Sequence, residues 1–255
     1  MNNAIRLQYL QTMGIDVWMP RIGASMEQAL PVTVIEPEIS VTQHHEALAI
    51  IEAAVEPVLP VVIEAEISTT QHWEDLKTEV QNCTKCDLCH SRTQTVFGTG
   101  NTHADWLLIG EAPGQQEDEQ GEPFVGVAGQ LLTEMLRAIG LEREQVFIAN
   151  ILKCRPPVNR DPHIDEIKSC RDYWQRQYQL IQPKIILAVG RVAAHTLLDT
   201  DETIGKLRGK VHYYNNTPVV VVYHPAYLLR SLSEKRKAWQ DLQLAKQTVI
   251  AMEQK

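Results

Sequence analysis

The chain has 255 residues, 44% hydrophobic and 22% charged, an ordinary balance for a globular protein with room for one domain and further segments. No secretion signal or bilayer span is legible: the first residues lack an apolar core, and the longest apolar stretch, 47–63, is broken by Glu52, Glu56, Pro57 and Pro60. The formal net charge of −8 is uneven, since residues 1–80 carry three basic against twelve acidic side chains and the remainder carries 21 against 20, so the later part is free to offer a basic face to a polyanion.

Residues 1–24 read as a short amphipathic helix, 25–75 as an acidic linker and 76–255 as the folded domain. The linker contains a duplication, EISVTQHHEAL at 38–48 and EISTTQHWEDL at 66–76, each preceded by Leu-Pro-Val. Two copies are too few for a solenoid, and the Glu and Pro content works against a packed core. A doubled short binding motif is the other reading. Beyond residue 75 apolar strands alternate with helices. Strands are expected at Trp106–Ile109, Val146–Leu152, Ile185–Val189 and Val219–Tyr223. Helices are expected at Gln130–Ile139, Asp165–Ile181, Val192–Leu198 and Glu234–Met252. This order predicts an α/β fold with a mostly parallel sheet covered on both faces. Ligands in such sheets gather at the carboxyl ends of strands. The loops GEAPG, the Asn150 region and HPAYLLR all follow strands and are expected to share one pocket.

Five cysteines, an odd number clustered as CTKCDLC, favour a metal in a reducing compartment over disulfides, and a cytoplasmic location is expected. Cys83 and Cys86 form a C-x2-C pair; Cys154 and Cys170 follow as C-x15-C. Spacing alone leaves a structural zinc site and an iron–sulfur cluster both open. Cys89 reads as a spare nearby thiol. Glu111 follows a strand, where it can point into a crevice or serve the first turn of a helix. Phe124 is a lone aromatic in a polar loop, suited to plugging a small core or stacking on a flat ligand. Asn150 ends an apolar strand, where a carboxamide is costly to bury unless it bonds something. Its adjacent donor and acceptor match the N3–H and O4 edge of uracil. His224 precedes Pro225 at the end of another strand.

These motifs, GEAPG-x2-ED-x2-G-x-PFVG, the strand IANI running into KCRPP-x-NR, and HPAYLLR, resemble the family 4 uracil-DNA glycosylases, the iron–sulfur branch of that superfamily, over about residues 78–245. The resemblance implies a three-layer α/β/α sandwich with a central four-stranded, mostly parallel sheet, and excision of uracil from DNA. It implies a [4Fe–4S] cluster on Cys83, Cys86, Cys154 and Cys170. It assigns catalysis to Glu111 and His224, and substrate binding to Ala112 (through its backbone amide), Glu117, Phe124 and Asn150. It assigns the wedge that enters DNA to Tyr227, Leu228, Leu229 and Arg230. Uracil-containing DNA is the expected partner, and the protein is expected to be a monomer with no membrane contact. A reading from another class is a non-catalytic iron–sulfur module for nucleic-acid binding or electron transfer. Such a module would not need Glu111, Asn150 and His224 together.

The first segment, RLQYLQTMGIDVWMPR at residues 6–21, is similar to the N-terminal peptide of the psi subunit of the bacterial polymerase III clamp loader. The likeness implies Leu10, Met13, Ile15 and Trp18 as apolar anchors on the clamp loader. Docking of the same helix on the chain's own folded domain is the alternative.

Overall fold

The computed structural model of the protein describes residues 72–254. The clamp-loader-like segment and the first copy of the duplication lie outside the described residues. The second copy runs into the first helix, α1 (72–81), which opens the folded unit. Its Trp73 ring meets Phe97 and Phe147 edge-on, with centroids 5.3 and 5.1 Å away, and Leu76 is fully buried. A boundary at residue 75 therefore cuts through a packed helix. Residues 72–76 of the second copy, which was read as linker, are here part of a core-docking helix.

Next come α2 (Leu88–Ser91), β1 (Thr99–Gly100), β2 (Trp106–Gly110), α3 (Gln115–Gln120), α4 (Val127–Ala138) and β3 (Phe147–Asn150). They are followed by α5 (Ile164–Ile181), β4 (Ile185–Val189), α6 (Arg191–Leu198), α7 (Ile204–Leu207), β5 (Val211–Tyr214) and β6 (Thr217–Val222). The last helices are α8 (Pro225–Arg230) and α9 (Lys235–Glu253). The sheet order is β1-β3-β2-β4-β6-β5. The four inner strands are parallel, and β1 and β5 add antiparallel edges. The sheet thus has six strands where four were expected; the parallel four form its centre.

Why these four are central follows from composition. WLLI, FIA, IILAV and the VVVV of β6 are uninterrupted apolar runs, and every residue of β2, β3 and β4 is buried. Alternate residues face opposite sides. Leu107, Ile109, Phe147, Ala149, Ile186, Ala188, Val219 and Val221 pack under α1, α5 and α6. Leu108, Ile148, Leu187, Val220 and Val222 pack under α4 and α9. Two cores on two faces make the three-layer sandwich. From β2 the chain crosses to β3 on one side, then returns past β2 to β4. The crevice at the carboxyl ends of β2 and β4 is the switch point where such folds bind ligands. Among the described residues no helix is long and apolar enough to cross a membrane.

Candidate active site

A pocket of about 850 Å³ opens at this switch point. Its lining brings together Glu111 and Ala112 after β2, Glu117 of α3, Phe124 and Gly126 before α4, Asn150 at the end of β3, and His224, Tyr227 and Arg230 after β6. Gly190 and Arg191, after β4, complete the wall.

Asn150 is 2% exposed, and its Oδ1 has no hydrogen-bond partner among the described residues. Its backbone carbonyl accepts from Lys153 Nζ at 2.9 Å, which fixes the end of the strand. Phe124 sits in the left-handed region at φ 54, rare for a bulky residue. Three contacts hold it there. Glu117 Oε1 accepts from the amides of Val125 (3.0 Å) and Gly126 (3.1 Å), a carboxylate at the start of α4. Arg143 donates to the Pro123 carbonyl. Gly129 lets the helix approach closely, since a Cβ there would stand 1.8 Å from the Phe124 oxygen. Glu117, expected on the substrate, thus spends one oxygen positioning the Phe124 loop.

His224 caps α8, and its Nδ1 accepts from the Ala226 amide at 3.2 Å. Burial, reinforced by Arg230 and opposed by Glu117, lowers its pKa to about 4. At neutral pH the ring is therefore uncharged and carries its proton on Nε2. The Phe124 ring lies 5.6 Å from it at an angle of 32°. The carboxyl pKa of Glu111 is raised, first by burial and then by Asp161, while Arg191 opposes. Asp161 and Arg191 pair at 2.6 Å on the rim.

Four of the cysteines share one core. Cys154 and Cys170 are buried, and Cys83 and Cys86 pack against the same core. Arg92 Nη1 donates to Cys154 Sγ at 3.1 Å, and the Lys153 amide donates to Cys170 Sγ at 3.3 Å. The Lys153 ammonium is 1% exposed and bonds only neutral acceptors: the carbonyls of Phe97 and Asn150, and Gln177 Oε1. Burial raises the thiol pKa of Cys86 and Cys154 and pushes Cys170 up to about 12. Among the described residues no group of three or more His, Cys, Asp and Glu is arranged to hold a metal ion.

The sequence profile of the Uracil DNA glycosylase superfamily matches residues 97–243. A type-4 uracil-DNA glycosylase of Archaeoglobus fulgidus is 46% identical over 164 residues, 61% of this chain and 82% of that one. One of Sulfurisphaera tokodaii is 43% identical over 186 residues, 69% and 84% of the two chains. One of Thermotoga maritima is 40% identical over 177 residues, 68% and 92%. The chain belongs to the uracil-DNA glycosylase superfamily, in its type-4 branch.

Against that family background two expectations change. HPAYLLR is a helix after His224, not a loop, with proline at its first turn. Helical spacing then turns Leu228 inward: it is 1% exposed and packs in the core, so it is not available as a wedge. Tyr227, Leu229 and Arg230 remain at the surface. Sequence reading missed Lys153, Arg143 and the Asp161–Arg191 pair. Each acts through a partner far away in sequence, and no local pattern marks it.

Proposed function

We propose that this protein is a DNA repair glycosylase, which flips uracil out of DNA and hydrolyses its N-glycosidic bond to leave an abasic site. The observation that carries the reading is one pocket in which a buried, unpartnered carboxamide oxygen meets a neutral imidazole, a stacking ring and a carboxylate whose pKa is raised. The names of the type-4 relatives support it.

A base inside a duplex is out of reach, so the nucleotide must swing into the pocket. Phe124 offers the flipped base a face on which to stack. Asn150 Oδ1 accepts from uracil N3–H, and the amide end donates to O4; cytosine presents the reverse pattern and is rejected. As the glycosidic bond breaks, negative charge grows on uracil O2 and positive charge on the sugar. His224 Nε2–H is the donor for that oxygen. The low pKa is that of the imidazolium, so the ring is neutral, and a neutral imidazole gives up its remaining N–H only far above neutral pH; it therefore donates without losing its proton, and such donors contribute about 10²–10³-fold. Glu111, ionised, takes a proton from the attacking water and faces the cationic sugar.

We also infer a [4Fe–4S] cluster on Cys83, Cys86, Cys154 and Cys170. The donor chemistry fits. Lys153 is a buried cation without a carboxylate, Arg92 points a second cation at Cys154, and three of the sulfurs, those of Cys83, Cys154 and Cys170, accept N–H bonds. Such surroundings suit sulfurs that carry negative charge. Thiols with such raised pKa values ionise on binding metal. When bound, the cluster would tie the turn after α1, the 153–156 turn and α5 together, a structural role.

Release of free uracil from a labelled oligonucleotide tests the activity. A non-catalytic iron–sulfur module would release none. Anaerobically purified protein should hold about four iron and four acid-labile sulfide per chain. Cys154→Ala should lose both and Cys89→Ala keep both; zinc without sulfide would rule the cluster out.

A further inference from the structure

The turn between β3 and α5 carries an oddity that the pocket chemistry does not use. Val158 has φ 57 and ψ 23, and its side chain is 92% exposed. A β-branched residue in the left-handed region is a true outlier, and strain of that kind gathers at functional sites. The side chain itself does nothing inside the fold to offset that strain, since it is almost fully exposed.

The loop around it is rigid. Pro156 and Pro157 precede it, and the amides of Asn159 and Arg160 bond back to their carbonyls at 3.0 and 3.2 Å. Arg155 Nε donates to Asn159 Oδ1 at 2.7 Å, and the Arg160 guanidinium holds both Glu166 oxygens at 2.9 and 2.6 Å. Pro156, Asn159 and Arg160 line the pocket, whereas Val158 does not, so its side chain stands on the lip. The loop grows from β3 and α8 from β6, the two outer strands of the parallel four. Exposed Tyr227 and Leu229 thus belong to one lip and Val158 to another, with cationic Arg155 and Arg160 beside it.

We propose that Val158 is a second wedge on duplex DNA, pressing on the base step beside the flipped nucleotide while α8 acts from the other lip. The inference rests on the glycosylase reading of the pocket. A flipped nucleotide leaves a gap in the stack that an apolar side chain can enter, and the flanking Arg155, bonded to the neutral Asn159 carboxamide, can draw in a phosphate. A tip held in place by prolines and an ion pair loses little freedom on insertion.

The test uses the full-length protein and two variants, Val158→Asn, which suits the left-handed region, and Val158→Leu, which keeps an apolar tip. Single-turnover uracil release is measured on a U·A duplex and on the same strand alone. Brightening of a 2-aminopurine next to the uracil reports unstacking. Val158→Asn should raise Tm by a few degrees, since strain is relieved, yet lower the duplex-to-single-strand rate ratio about 10-fold and reduce brightening. Val158→Leu should keep the wild-type ratio. A Val158→Asn variant with wild-type ratio and brightening would overturn the proposal. Wild-type protein that brightens the probe but releases no uracil would instead overturn the glycosylase reading.

Discussion

Gly110→Ala isolates the uracil slot better than any change to a catalytic group. Gly110 ends β2 between the two side chains that would hold the base. A Cβ there would stand 2.4 Å from Asn150 Oδ1 and 2.6 and 2.7 Å from two carbons of the Phe124 ring. Ordinary contact begins at 3.4 Å, so ring or carboxamide must yield by roughly 0.8–1 Å. Neither is free to do so. The Phe124 loop is pinned through Glu117, Arg143 and Gly129, and the Asn150 carboxamide, 2% exposed, is boxed in by close packing on a backbone that Lys153 fixes. Displacement of about 1 Å costs on the order of 10²-fold in rate, whereas overpacking costs roughly 1–3 kcal/mol of stability. Single-turnover uracil release should therefore fall about 100-fold in a protein that still melts cooperatively and binds DNA. A folded variant within about threefold of the wild-type rate would refute the packed-slot reasoning.

Arg191→Ala removes the cation that holds the Glu111 pKa down, so the acid limb of the pH–rate profile should move to higher pH. The base must be ionised to act, so rate is lost as pH falls through its pKa, and an unmoved limb would argue that Glu111 is not that base. Asn150→Asp should weaken uracil excision and narrow the selectivity for uracil over cytosine, measured on paired oligonucleotides; unchanged selectivity would mean that another group reads the base. A chain starting at residue 72 should keep its stability and its activity on naked DNA. One starting at residue 78 loses Trp73 and Leu76 and should be destabilised by at least about 3 kcal/mol in denaturant melts.

Much of this was legible because the central strands are short, apolar and followed by marked loops. Ile185–Val189 needed no correction, and the other inner strands moved by one or two residues at their ends. The edges were not legible. β1 has two residues, and β5 has no fully buried one, so neither leaves a hydrophobic run. The turn of that hairpin is the left-handed pair Asn215–Asn216, at φ 45 and 68, which the sequence reading passed over. Glu111, Phe124, Asn150 and His224 stood out because each breaks the expected chemistry of its position. Lys153 did not, since only the fold reveals that it is buried against Gln177 and Phe97. Leu228 was misjudged because a motif read as a loop has no inward face, and a helix does.

The most direct test of the central claim is single-turnover uracil release from a duplex by wild type, Glu111→Gln and His224→Ala, with DNA affinity measured in parallel. The account predicts rapid release by wild type and losses of about 10²–10⁴-fold in each variant, with affinity nearly unchanged. Both variants releasing uracil at the wild-type rate would contradict it.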